Sequence, residues 1–123
     1  MMGTFRVRIR VFNWDEPARG CELEALVDTG ASRSVIPAVV VAELGVRPES
    51  SKEFTLADGR RVSRNLGWVG VEYGGESVHS HVVLGEPNDP AILGALTLED
   101  LALQVDPVRG VLRPAEEFLL AAP

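Results

Sequence analysis

At 123 residues, with 46% hydrophobic and 24% charged side chains, the chain has the size and composition of one globular domain spanning 1–123. A formal net charge of −6 argues against nucleic acid as a partner. The longest apolar stretch, Val35 to Ala42, contains Pro37 and is too short to cross a membrane. The single cysteine, Cys21, excludes an internal disulfide and suits a reducing compartment. Met1 to Arg6 holds no apolar core of a signal peptide, so the expectation is a cytoplasmic protein without membrane contact.

Phe5, Val7, Ile9 and Val11 alternate with Arg6, Arg8 and Arg10, the period of a half-buried strand with one basic face. Asn13 to Gly20, with Asp15, Pro17 and Gly20, breaks that pattern and reads as a hairpin loop. Cys21, Leu23, Ala25 and Val27 then alternate with Glu22, Glu24 and Leu26, and this second strand runs directly into Asp28. Arginines facing glutamates across such a hairpin form cross-strand pairs, each contributing roughly 0.2–1 kcal/mol.

Pro37 to Leu44 reads as a short helix, since proline favours the first helical position and Gly45 is a natural stop. Phe54 to Val62 follows with Asp58-Gly59 at its centre, a strong hairpin signal. A strand through Trp68, Val69, Val71 and Tyr73 reaches the turn Gly74-Gly75, and Val78 to Leu84 forms its partner. Ala95 to Leu103 has helical spacing. Val105 opens a last strand that is interrupted by Asp106-Pro107 and Arg109-Gly110 and closes at Val111-Leu112. Many short strands, hairpin turns and two small helices indicate a mostly-β single domain.

The chemistry is concentrated in Asp28-Thr29-Gly30-Ala31-Ser32, which follows the apolar run Ala25-Leu26-Val27. Asp-Thr-Gly by itself also suits any tight turn whose Asp side chain caps its own backbone. Its context is more specific. Ala25 to Ser32, then Ser34-Val35-Ile36-Pro37 leading to Leu44-Gly45, Leu56 to Arg60, Ile92-Leu93-Gly94, Leu98-Glu99 and Val105-Asp106-Pro107 occur in the order and spacing of one family. On these residues the chain resembles the retropepsin-like aspartic proteases, specifically their short bacterial members.

That resemblance implies a closed β-barrel with a flap hairpin and one or two short helices, one half of a pepsin-like two-lobed enzyme. It implies a homodimeric aspartic endopeptidase acting on peptide or protein substrates, without metal or cofactor. Asp28 would be general base and general acid. Thr29 would lock the two loops across the dimer axis, and Gly30 would allow close backbone approach. Ala31 and Ser32 would border the substrate, with Ala57, Asp58 and Gly59 at the flap tip. Ile92, Leu93 and Gly94 would pack beneath the catalytic loop. Ala31, unlike serine, cannot donate a hydroxyl to the carboxylate, so activity is expected from mildly acidic toward neutral pH.

Retroviral members carry an acid after the Asp-Thr-Gly-Ala block and an arginine after the later glycine, paired at the dimer interface; here Ser32 and Ala95 stand in those places. The terminal strands, Phe5 to Val11 and Val111 to Pro114, are the candidates for the interface sheet. The alternative function is a peptide-binding or assembly module that keeps the fold without turnover. His79 and His81 share one face of a strand but lack a third ligand, so they read as surface or partly buried histidines rather than half a metal site.

Overall fold

The computed structural model describes residues 4–117 and 119. The ends of the expected 1–123 domain, residues 1–3, 118 and 120–123, lie outside the described residues.

Among the described residues, nine strands and two short helices follow in the order β1 (Phe5–Asn13), β2 (Glu16–Val27), β3 (Val35–Ile36), α1 (Ala38–Leu44), β4 (Ser50–Thr55), β5 (Arg61–Tyr73), β6 (Glu76–Leu84), β7 (Ile92–Leu93), α2 (Ala95–Asp100), β8 (Leu103–Asp106) and β9 (Val111–Pro114). The large sheet runs β1-β2-β7-β3-β6-β5-β4, and β1 also pairs with β5. That extra pairing, Arg10 to Phe12 against Glu72 to Gly70, closes six of the strands into a ring. Closure removes most free edges, a general solution for small all-β domains. β4 stays outside the ring as the second arm of a hairpin with the first half of β5. β8 and β9 form a separate two-stranded sheet.

The core follows from the period of two. Ile9 and Val11 of β1, Ala25 and Val27 of β2, Val69 and Val71 of β5, and Val82 and Leu84 of β6 all point inward and are buried. The helices cap this barrel with Val40 and Leu44 from α1 and Leu98 from α2, joined by Leu101 at the α2 C-cap. Burying aliphatic side chains of this size stabilises by roughly 1.5–3 kcal/mol each, before the entropy of ordering the chain. The basic and acidic faces of the first hairpin meet in register, Arg8 opposite Glu24 and Arg10 opposite Glu22. The ion pairs these arginines make are Arg8–Glu22, diagonal within the hairpin, and Arg10–Glu72, directly across from β1 to β5, both at 3.7 Å.

Several boundaries differ from those the sequence suggests. The loop expected over Asn13 to Gly20 is a tight turn at Trp14-Asp15, with β2 starting at Glu16 rather than at Cys21. The side-chain oxygen of Asn13 accepts the N–H groups of Asp15 and Glu16, making the turn. Pro17 lies where the register slips, Asn13 facing Glu16 but Phe12 facing Gly20, so no ladder bond needs its missing N–H. Pro37 is the cap of α1 instead of its first residue, in extended conformation. α2 stops at Asp100 instead of reaching Leu103, because Ala102 takes a φ of 56° and turns the chain into β8. Cys21 is half-buried against the core, and burial pushes its thiol pKa up.

Candidate active site

Asp28 is the first residue beyond β2. The strand is held on one side by β1 and on the other by the parallel partner β7, Leu26 beside Ile92 and Val27 beside Leu93. Asp28 itself donates its N–H to the Leu93 carbonyl (3.1 Å), so the last rung of the ladder lies at the acid. The chain then turns: the Ala31 N–H reaches the Asp28 carbonyl (3.1 Å), and the Gly30 N–H donates to Asp28 Oδ1 (2.9 Å). The carboxylate is therefore aimed by a backbone donor, while its surroundings stay half-exposed. A Cβ on Gly30 would stand 3.2 Å from Oδ1, tight against the oxygen the turn positions. The Thr29 side chain is exposed and makes no hydrogen bond among the described residues.

Beneath the loop the chain is locked from two directions. β7 is sandwiched between β2 and β3, with Val35 opposite Ile92. The Gly94 N–H donates to Ser34 Oγ (3.0 Å), Ser34 Oγ lies 2.6 Å from Thr97 Oγ1, and Thr97 Oγ1 lies 2.9 Å from Ser80 Oγ. All three hydroxyl residues are buried, and no buried polar side-chain atom among the described residues lacks a partner. Such a satisfied network ties the loop, α2 and β6 into one unit. Gly94 cannot be replaced there: an added Cβ would meet the Arg33 carbonyl at 2.6 Å and the Ala31 oxygen at 2.9 Å, all backbone. Ile92, Leu93 and Gly94 thus lie directly under the Asp28 loop. The segments that carry Ser32 and Ala95 are joined through the main chain: the Ala95 N–H donates to the Ala31 carbonyl (2.8 Å) and the Leu96 N–H to the Ser32 carbonyl (3.0 Å).

Beside this loop opens a cleft of about 330 Å³. One wall is the loop from Gly30 to Arg33, so Ala31 and Ser32 line it; the facing wall is the β4–β5 hairpin through Phe54, Thr55, Leu56 and Val62. Val35, Val83 and Ile92 give it an apolar lining. The hairpin tip residues Ala57, Asp58 and Gly59 are exposed and stand beyond this lining. The tip is self-contained: Leu56 N–H donates to the Arg60 carbonyl (2.7 Å), and Asp58 accepts the Arg60 N–H (3.0 Å) and Nε–H (2.8 Å). These two bonds, the backbone one first, hold the Asp58 carboxyl below the usual carboxylate range.

Three cleft residues had no local signal in the sequence. Arg64 Nε and Nη2 donate to Asp89 Oδ2 (2.7 Å) and Oδ1 (3.1 Å), a bidentate pair linking β5 to the loop before β7. The Arg64 bonds keep the Asp89 carboxyl below its ordinary value. Arg33 Nη1 lies 3.3 Å from both the Nδ1 and the carbonyl oxygen of His81.

A second opening of about 440 Å³ lies near Trp14, Trp68 and His79, apart from the aspartate loop. Both tryptophans and both histidines stack in one ladder there: Trp14 on His79 (4.6 Å), His79 on Trp68 (4.7 Å) and Trp68 on His81 (4.5 Å). His81 Nε2 bonds Glu49 Oε1 at 2.8 Å and so lowers the Glu49 carboxyl pKa. No three His, Cys, Asp or Glu side chains among the described residues are grouped to hold an ion. No helix among those residues is long and apolar enough to cross a membrane.

An aspartate loop carried by a strand, braced by a parallel strand from the far end of the chain and faced by a hairpin, is the retropepsin-like acid-protease fold. The chain belongs to the family described as "gag-polyprotein putative aspartyl protease", whose sequence model matches residues 18–100. Among solved structures, the EIAV protease in complex with an inhibitor is similar at a TM-score of 0.63 and 20% identity, over 79% of this chain and 86% of that one. The solution structure of simian foamy virus (mac) protease matches at a TM-score of 0.56 and 17% identity, over 77% of this chain and 92% of that one. Those likenesses concern the fold. No curated protein sequence matches the chain.

Proposed function

We propose that the chain, working as one domain over 1–123, is an aspartic endopeptidase whose active site forms from two copies, each contributing Asp28. The observation that carries this reading is the Asp28 carboxylate, held by the Gly30 N–H at the end of β2 beside a cleft that the β4–β5 hairpin covers. Two adjacent carboxylates cannot both ionise cheaply, so the pair shares one proton. The ionised aspartate takes a proton from a water held between them, and the resulting oxygen attacks the scissile carbonyl carbon. The protonated aspartate donates to the carbonyl oxygen; as the tetrahedral carbon collapses, a proton passes to the departing amine. This chemistry uses the chain's own residues and calls for no cofactor.

Substrate would lie extended in the cleft and pair with the hairpin as an added strand, and hairpin closure would exclude water. Thr29, exposed on the loop, is free to bond across the dimer axis. The β8–β9 hairpin offers an interface: it pairs with no other strand among the described residues, and Val108 and Val111 on it are 93% and 43% exposed. β1 is the weaker of the two expected interface strands, because its Arg10–Phe12 segment is hydrogen-bonded on both edges. Peptide cleavage in the cytoplasm, from mildly acidic toward neutral pH, is the setting we infer.

A second reading, a binding module with no turnover, draws on Ser32 and Ala95 in place of an interfacial ion pair. Cleavage of a diverse peptide library by the parent and by Asp28→Asn, with oligomeric state measured in the same buffers, separates the two. The protease reading expects cleavage by a dimeric parent and none by the variant. Cleavage that survives Asp28→Asn contradicts it, and a dimeric parent that binds but never cleaves establishes the module.

A further inference from the structure

The charges lining the cleft do not balance. Arg64 and Asp89 neutralise each other through two hydrogen bonds, and Asp89 Oδ2 also accepts the Glu86 N–H (2.7 Å). Both side chains are only 22% exposed, so this pair is settled and has little left to offer a ligand. Arg33 lines the same cleft and meets no carboxylate among the described residues. Its neighbour is His81, at 3.3 Å to a ring nitrogen and 3.3 Å to a carbonyl. His81 Nε2 faces Glu49 Oε1 at 2.8 Å, and its Nδ1 is the ring atom turned toward Arg33. Arg33 is thereby steered through Nη1 alone, by a ring nitrogen and a carbonyl oxygen, and its other donors remain available. A half-buried guanidinium with open donors beside an apolar trough matches a planar carboxylate, which it can grip in bidentate fashion.

We propose that Arg33 is a specificity-determining residue that selects peptides carrying an acidic side chain at the subsite it borders, with apolar residues in the trough next to it. The inference rests on the peptide-cleft reading given above and names the substrate class for that site. Arg33 acts on substrate directly; His81 and Glu49 position it. The overall charge of −6 does not oppose this, because the selection depends on the local excess of one cation within the cleft.

The test uses matched peptides that differ only in Glu, Gln or Lys, scanned through the positions flanking an apolar-apolar bond. Binding is read by fluorescence polarisation on Asp28→Asn, and cleavage on the parent. At one position Glu should be favoured over Lys by roughly tenfold. Arg33→Glu should invert that preference, Arg33→Gln should erase it, and Arg33→Lys should keep part of it. A merely structural role would lower binding of all three peptides alike. Equal binding of Glu and Lys peptides at every position, or a preference that Arg33→Glu leaves in place, overturns the inference. Cleavage dependent on Asp28 but indifferent to the acidic residue would leave the protease standing and remove Arg33 from it. Absence of cleavage with an Arg33-dependent acidic preference in binding would do the reverse.

Discussion

Two regions face each other across the cleft, and they are built on opposite plans. The platform under Asp28 is closed: β7 is enclosed by β2 and β3, and Gly94, Ser34, Thr97 and Ser80 form one buried chain of hydrogen bonds. The hairpin opposite is open. β4 has one partner strand, nearly all its residues are exposed, and the tip from Leu56 to Arg60 bonds only to itself. The difference suits the tasks that the proposed function assigns to them. A general base must be held in place, and deep packing resists displacement. A cover must move, and segments with few buried contacts open at low free energy.

The same substitution in each region should therefore have different consequences. Gly94→Ala forces a Cβ into main-chain atoms at 2.6 Å that have nowhere to go, and is expected to destabilise by about 3 kcal/mol, read from urea unfolding. Thr97→Val removes the hydroxyl that joins Ser34 to Ser80 and should cost about 2 kcal/mol by the same measurement. Gly59→Ala meets nothing within 4 Å, and only its φ of 88° opposes a side chain, so about 1 kcal/mol is expected. If Gly59→Ala proved more damaging than Gly94→Ala, the contrast between platform and hairpin would be wrong.

The smallest expected effect concerns the ion pair between the two regions. The Asp89 carboxyl pKa is lowered in the folded chain by Arg64, so its contribution is present above the unfolded value of about 3.9 and lost as pH falls through the folded value. The stability difference between the parent and Asp89→Asn should hold from neutral pH down to about pH 5 and shrink in more acid solution. A difference that grows on acidification would contradict the assignment of that pair.

The sequence carries these regions unequally. β1, β2, β5 and β6 are legible because each is long enough to show alternation, and Asp58-Gly59 marks the hairpin turn. The strands that brace the acid, Val35–Ile36 and Ile92–Leu93, are two residues each and can show no period. Only the family resemblance points to them, since the parallel pairing of Val27 with Leu93 exists only in the folded chain. The early start of β2 was hidden by Pro17 and Gly20, whose turn signal is real but is absorbed at a register slip. The cleft's charged residues were hidden for a related reason: Arg64 and Asp89 lie 25 positions apart, and Arg33 and His81 48 apart, so nothing local announces either contact.

The central claim is that one active site needs two copies of Asp28, and subunit mixing tests it most directly. Parent and Asp28→Asn are combined in varying ratio at constant total concentration, allowed to exchange, and assayed on a cleaved peptide. If each site needs both carboxylates, activity falls with the square of the parent fraction, so an equal mixture retains a quarter of the parent's activity. A linear fall, with half the activity left in the equal mixture, would show that each chain cleaves alone and would contradict the account.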